Sequence, residues 1–249
     1  MRAYLINLDR SPQRLALMRA ALAATGVGFE RVAGVDGAAL TEDARRIFAE
    51  ARCAAQPAGW MPGEIGCFLS HFAVWERIAA GADPWAAVLE DDLRVADDLG
   101  VLLRSAGWIP PGADIVRLEA NRPMRLGRGR PIEGTHRRQV HAALSGSPGS
   151  AAYVVSKEAA QRLVASAPQT HASVDVFLFK PKMSAVAASL ARFQVVPAPC
   201  VQDGVAAAPQ EGLESLIRKR ASRGRAYRET LNPLFRLWPM RRYAVPFRP

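Results

Sequence analysis

Residues 85–92 read WAAVLEDD: five apolar side chains, Trp85, Ala86, Ala87, Val88 and Leu89, then three acids, Glu90, Asp91 and Asp92. A short apolar run bounded by Pro84 on one side and by charge on the other is the pattern of a buried strand in a mainly parallel sheet. Carboxylates crowded at the end of such a strand repel one another, and a hard divalent cation with oxygen ligands relieves that repulsion. Extended geometry would turn Glu90 and Asp92 to one face and Asp91 to the other. The competing reading is an acidic turn that caps a following helix at Asp97-Asp98.

Working outward, the bulk properties describe a folded domain. The chain has 249 residues, 49% hydrophobic and 22% charged, enough for one large α/β domain or two small ones. Cys53, Cys67 and Cys200 are scattered and suggest neither a disulfide framework nor a zinc site, in keeping with a reducing compartment. No apolar run approaches the roughly 20 residues that span a bilayer. The opening MRAYLINLDR is interrupted by Asn7 and Asp9, which argues against a signal peptide. The expectation is a soluble or peripheral protein.

The net charge of +10 is unevenly placed. Ten basic residues and one acid, Glu229, lie from Ser215 onward, leaving 23 basic against 22 acidic residues before them. Residues 213–249 therefore read as a basic extension on a nearly neutral body at 1–212. Its arginines interleave with Leu234, Phe235, Trp238 and Tyr243, a composition suited to an anionic membrane surface. RNA contact or a plain disordered tail would use the same sequence.

Within the body, Ala3–Leu8 predicts a first strand, with Asn7 and Asp9 at the carboxyl edge where open α/β sheets bind ligands. Ser11-Pro12 predicts a helix start, with Leu15, Met18 and Leu22 as its apolar stripe. Gly28–Val35 reads as a second strand, Thr41 as the cap of a short helix to about Arg52, and 54–62 as a loop. Ile65, Phe68, Leu69, Phe72, Trp75 and Ile78 recur at helical spacing, so 63–80 is a buried helix carrying Ser70 and His71. A histidine there is either a satisfied structural residue or a ligand. Asp97–Ser105 reads as a short helix and Asp114–Leu118 as a strand. The stretch 120–138, with Arg122, Arg125, Arg128, Arg130, Arg137 and Arg138, reads as a long basic loop that either grips a diphosphate or lies solvated on the surface. Small residues at 145–152 precede a strand at Tyr153–Val155 and a helix capped by Ser156. Asp175 sits alone in the apolar VDVFLF, costly unless paired or working. Phe193–Val196 is the last predicted strand.

Taken together, INLDRSPQR (6–14), FERVAGVDG (29–37), GEIGCFLSH (63–71), VLEDD (88–92), GSAAYVVS (149–156) and VDVFLF (174–179) resemble glycosyltransferase family 25 in sequence and in order. The resemblance covers about residues 3–203 and leaves out the tail. It implies a single GT-A-like nucleotide-binding α/β domain with a mainly parallel central sheet flanked by helices. It also implies a metal-dependent, inverting transfer of a hexose, with galactose from UDP-galactose the expected donor. The acceptor would be a saccharide or lipid-linked oligosaccharide of lipooligosaccharide or a surface glycan. Mn²⁺ or Mg²⁺ is the expected cofactor, held by Asp92 and then Glu90, with Asp91 reaching it through water or binding ribose. Asn7, Asp9, Arg14 and Asp36 would contact the nucleotide, and Tyr153 the sugar pocket. Inversion needs a base for the acceptor hydroxyl; Asp175 is the first candidate, with Glu64 and His71 behind it. No nucleic-acid partner is expected, and the location would be cytoplasmic or peripheral on the inner membrane face. The alternatives are a non-catalytic nucleotide-sugar or glycan binder, and a metal-dependent nucleotidyltransferase or phosphatase.

Overall fold

A computed structural model describes residues 1–50, 60–169, 172–203 and 243–248. Its centre is an eight-stranded sheet flanked by helices on both faces. In chain order the strands of that sheet are β1 (Arg2–Asn7), β2 (Glu30–Ala33), β3 (Trp85–Glu90), β5 (Ile115–Arg117), β7 (Leu126–Pro131), β8 (Gln139–Ala143), β9 (Ala152–Ser156) and β10 (Arg192–Val196). They lie in the order β2-β1-β3-β9-β5-β10-β8-β7. The short β4 (Leu93–Val95) pairs with β11 (Cys200–Gln202), and β6 (Asn121–Met124) with β12 (Tyr243–Val245).

The sheet is mixed, which corrects the mainly parallel expectation. β1 runs parallel to β2 and β3, and β5 parallel to β10. The pairs β3–β9, β5–β9, β8–β10 and β7–β8 are antiparallel. An apolar run such as AYVVS signals burial on both faces but carries no record of strand direction.

Side-chain alternation assigns the two cores. Tyr4, Ile6, Ala86, Val88, Tyr153 and Val155 face α3 (Pro62–Ala80), α5 (Lys157–Ser166) and α6 (Val174–Phe179). Ala3, Leu5, Ala87, Leu89, Ala152 and Val154 face α1 (Pro12–Ala24) and α4 (Leu99–Arg104). Val88 and Leu89 are fully buried on opposite faces, each contributing about 1.5–3 kcal/mol by leaving water. Two helices, α2 (Glu42–Glu50) and α7 (Ala185–Ser189), complete the described set. None is long and apolar enough to cross a membrane.

Helix α1 begins with Pro12 in its first turn, while the Ser11 hydroxyl makes no capping bond. Its buried face is Arg14, Met18 and Leu22, spaced four apart, so the helix presents a guanidinium to the sheet at its first turn. Thr41 does cap α2, its Oγ1 accepting from Ala44 N–H at 3.1 Å. VDVFLF is a one-and-a-half-turn helix with Val174, Phe177 and Leu178 inward.

The basic stretch 120–138 is largely strand, as β6 and β7, and so corrects the loop expectation. Arg138 is fully buried and forks onto Asp98 at 2.6–2.9 Å, and it donates to the carbonyls of Pro197 and Arg248. That guanidinium locks the fold and is not free to grip a ligand. Most of the basic tail lies outside the described residues. Its last part returns to the body: Val245 is buried, and Phe247 bridges to Ala198.

Candidate functional site

A cleft lies at the carboxyl ends of β1 and β3. Ile6, Asn7 and Leu8 from the end of β1, the loop Val35, Asp36 and Gly37, the adjoining α3 wall of Cys67, Ser70 and His71, and Glu90, Asp91, Asp92 and Gln202 line it. Loop and wall are locked together by two glycines. A Cβ on Gly66 would come 2.4 Å from the Val35 carbonyl, and one on Gly37 would come 1.6 Å from that of Pro62. Only bare backbone allows that approach. Ser70 fastens the same contact, accepting from Val35 N–H at 2.8 Å and donating to Gly66 O at 2.6 Å.

The acidic cluster is more closely engaged than strand alternation implies. β3 ends at Glu90, and Asp91 and Asp92 occupy a turn. Asp91 accepts from Asn7 Nδ2 at 2.7 Å and from Arg14 at 2.8 Å, and Arg14 also reaches Asp92 at 3.5 Å. One guanidinium therefore serves both aspartates, which corrects the expectation that they face opposite sides. Gln202 Nε2 approaches Asp92 at 3.3–3.4 Å. Burial and then the Glu90 charge push the Asp92 carboxyl up from 3.8 to about 7, against the opposing pull of Arg14. Asp91 is raised mainly by burial, offset by Arg14 and Asn7. The Glu90–Asp92 pair is thus under-compensated, and a cation would relieve it.

Glu90 is oriented from behind by a chain of hydrogen bonds. Trp75 Nε1–H donates to the Tyr153 hydroxyl at 2.8 Å, and that hydroxyl lies 2.9 Å from His71 Nδ1. His71 Nε2 lies 3.1 Å from a Glu90 oxygen. Indole can only donate, so Tyr153 accepts there; the Glu90 carboxylate can only accept, so a neutral His71 carries its proton on Nε2 and takes the Tyr153 proton at Nδ1. The Nε2 proton then points at Glu90. Tyr153 is wholly buried, so it stands beneath the cleft and supports His71 instead of lining a sugar pocket.

The remaining expected residues separate. Asn7, Arg14, Asp36, His71, Glu90, Asp91 and Asp92 all come together in the cleft. Asp36 is tied at its rim, accepting from Arg10 Nε at 2.5 Å and from Ala38 N–H. Asp9 is exposed and pairs with Arg31. Glu64 accepts from Met61 N–H at 2.9 Å, closing the first turn of α3. Asp175 stands in the first turn of α6, half-buried, with one oxygen accepting from Ser173 at 2.6 Å.

Three contributors lie outside the expected set of site residues. Arg10 adjoins Asp9 without a signal to separate the two, and Gln202 reaches Asp92 only through the pairing of β11 with β4. Cys67 carries a legible signal, its spacing of four from His71 on one helix face. Behind the cleft, burial raises Glu119 from 4.5 to about 8, and its Oε1 finds no partner among the described residues.

The fold and site thus define a mixed-sheet α/β domain with an acidic cleft at its strand ends. The chain belongs to glycosyltransferase family 25 (LPS biosynthesis protein), whose model matches residues 1–178. It is 36% identical over 118 residues to a glycosyltransferase 25 family member of Aedes aegypti, covering 42% of this chain and 19% of that one. It is 25% identical over 151 residues to the lipooligosaccharide biosynthesis protein lic2B of Haemophilus influenzae, covering 57% and 54%. Over 250 residues it is 25% identical to the lacto-N-neotetraose biosynthesis glycosyltransferase LgtE of Neisseria gonorrhoeae, covering 95% and 88%. The chain spans about half or less of the first two of these relatives.

Proposed function

We propose that this protein is an inverting, GT-A-type hexosyltransferase that moves a sugar from a nucleotide diphosphate donor to a saccharide of lipooligosaccharide or a related surface glycan. The observation that carries this reading is the meeting of Glu90, Asp91 and Asp92 with Asn7, Arg14 and His71 in one cleft at the carboxyl ends of β1 and β3, with one guanidinium, that of Arg14, reaching two of the three acids. Asp92 and Glu90 are the residues that would hold Mn²⁺ or Mg²⁺, and the ion would act as a Lewis acid toward a leaving diphosphate. Asp91 is committed to Arg14 and Asn7, so its work is to fix the turn that presents Asp92. His71 keeps Glu90 in position through its Nε2 proton. Arg10 and Asp36 at the rim supply a cation and an acceptor for phosphate and ribose.

The acceptor hydroxyl must lose its proton as it attacks. Glu64 is occupied by the α3 cap and His71 by Tyr153 and Glu90. Asp175 keeps one carboxylate oxygen outside its bond to Ser173, and it is the base in this reading. UDP-galactose is the first donor to try, and the relatives named for lipooligosaccharide and lacto-N-neotetraose biosynthesis make the saccharides of those syntheses the first acceptors.

The test is transfer from a panel of UDP-sugars with Mn²⁺, Mg²⁺ or EDTA, followed by mass spectrometry of the acceptor and by nucleotide release. Glycosylated product with one donor, lost in Asp92→Ala that still folds, supports the assignment. Donor binding without product would point to a non-catalytic binder. Phosphate or pyrophosphate release without sugar transfer would point to a nucleotidyltransferase or phosphatase.

A further inference from the structure

On the α3 wall of the cleft, Cys67 and His71 stand four residues apart and therefore on one side of the helix. Glu90 reaches the same point from the end of β3. The Cys67 sulfur, a His71 nitrogen and a Glu90 oxygen all lie within 4.8 Å of one another. His71 and Glu90 are already 3.1 Å apart. Ligands of a tetrahedral zinc ion sit ~3.5 Å apart, so closing the set asks for a movement of about 1 Å. All three residues line the cleft, which leaves a fourth coordination position open to water or ligand.

From this geometry we infer that Cys67, His71 and Glu90 form a second cation site, suited to a borderline-soft ion such as Zn²⁺. Thiolate and imidazole select Zn²⁺ or Co²⁺ over Mg²⁺ and Ca²⁺, which prefer oxygen alone. The set takes one atom each from Cys67, His71 and Glu90, and neither Asp91 nor Asp92 belongs to it. When Nε2 ligates, the imidazole proton moves to Nδ1, where the Tyr153 oxygen accepts it as it accepts from Trp75. Proton balance is simple: the Cys67 thiol gives up one proton to buffer for each ion bound, the Sγ–metal bond replaces S–H, and nothing is oxidised or reduced.

Occupation would draw Glu90 away from Asp92 and place an ion on the wall where a donor must lie, so Zn²⁺ would inhibit transfer. That consequence rests on the hexosyltransferase reading; binding itself does not. The test is therefore spectroscopic, on the full chain in a Cys53→Ser background, with Co²⁺ as the probe. Wild-type Cys67 should give a thiolate-to-cobalt charge-transfer band and release one proton per ion. Cys67→Ser should lose the band, and Asp92→Ala should keep it. In the same background, Zn²⁺ at ten times its Kd, but not Mg²⁺, should slow alkylation of Cys67 about 10-fold, a readout that needs no folded Cys67 variant. Cys200 is fully buried and stays out of reach in the folded protein. No band in the parent, a band that survives Cys67→Ser, its loss in Asp92→Ala, or alkylation indifferent to Zn²⁺ would each overturn the site.

Discussion

Replacing Asp92 by Asn should stabilise the metal-free protein, and by an amount that depends on pH. The Asp92 carboxyl is 5% exposed, and its pKa rises from 3.8 to about 7 because burial and Glu90 both oppose its charge. Between those two values the native state keeps a proton that the unfolded chain has released. Wild-type stability must then fall as pH climbs from about 4 to about 7, and level off above. Three units at about 1.4 kcal/mol each set the loss at no more than about 4 kcal/mol, less whatever share of the proton Glu90 takes. Asn is nearly isosteric, still accepts from Gln202 and carries no charge to desolvate. Urea unfolding in EDTA, at half-unit steps from pH 4 to pH 8, reads the difference directly. The variant should match wild type near pH 4 and exceed it at pH 8. Adding Mn²⁺ at a hundred times its Kd should return about 2.7 kcal/mol to wild type and little to the variant. Parallel pH curves, or a variant weaker than wild type at pH 8 without metal, would refute the claim that Asp92 is held under electrostatic strain.

Other perturbations probe separate parts of the argument. Arg138→Met strands the Asp98 carboxylate against buried carbonyls, and should cost about 3–5 kcal/mol in urea unfolding; a loss under 1 kcal/mol would mean the pair is dispensable. Tyr153→Phe leaves the Trp75 indole N–H without its acceptor and frees His71 Nδ1, for an expected loss of about 1–3 kcal/mol. Because the His71 proton would no longer be fixed on Nε2, the pH profile of sugar transfer should shift in that variant, and an unmoved profile would break the link to Glu90. We further propose that the basic tail attracts an anionic bilayer. Changing Arg218, Lys219, Arg220, Arg223, Arg225 and Arg228 to Gln should weaken cosedimentation with phosphatidylserine vesicles by about 1 kcal/mol per residue. This variant spares residues 243–248, which pack on the body, and unchanged vesicle binding would end the membrane reading.

What could be read in the sequence was whatever local pattern encodes. VLEDD announced a buried strand with acids at its end because a run of apolar residues stops at charge, and the structure has β3 doing this at Glu90. The helix at 63–80 was equally plain from its spacing, and α3 spans Pro62–Ala80. Strand direction was not readable: β9 slots antiparallel between β3 and β5, and an apolar strand looks the same from either end. Nor was β7, whose LGRGRP resembles a loop. It lies at the edge of the sheet, where Gly, Arg and Pro are tolerated because one side of the ladder needs no partner. Arg138 and Asp98 are forty residues apart, and no local signal marks an ion pair formed at that separation.

The site itself divides along the same line. Its acids were visible as a cluster, but the distribution of labour among them depends on which side each neighbour approaches from. Alternation along β3 turns Val88 and Glu90 toward α3, so Glu90 meets His71. Beyond Glu90 the strand ends, and Arg14, placed by the first turn of α1, gathers both aspartates. One guanidinium cannot neutralise three carboxylates, and the arginine stands nearer to Asp91, at 2.8 Å, than to Asp92, at 3.5 Å. The deficit therefore falls between Glu90 and Asp92, within the cleft. A fold that needed only stability could have placed an amide at position 92; a carboxylate kept there under strain is what the proposed reaction requires of a residue that would hold a cation.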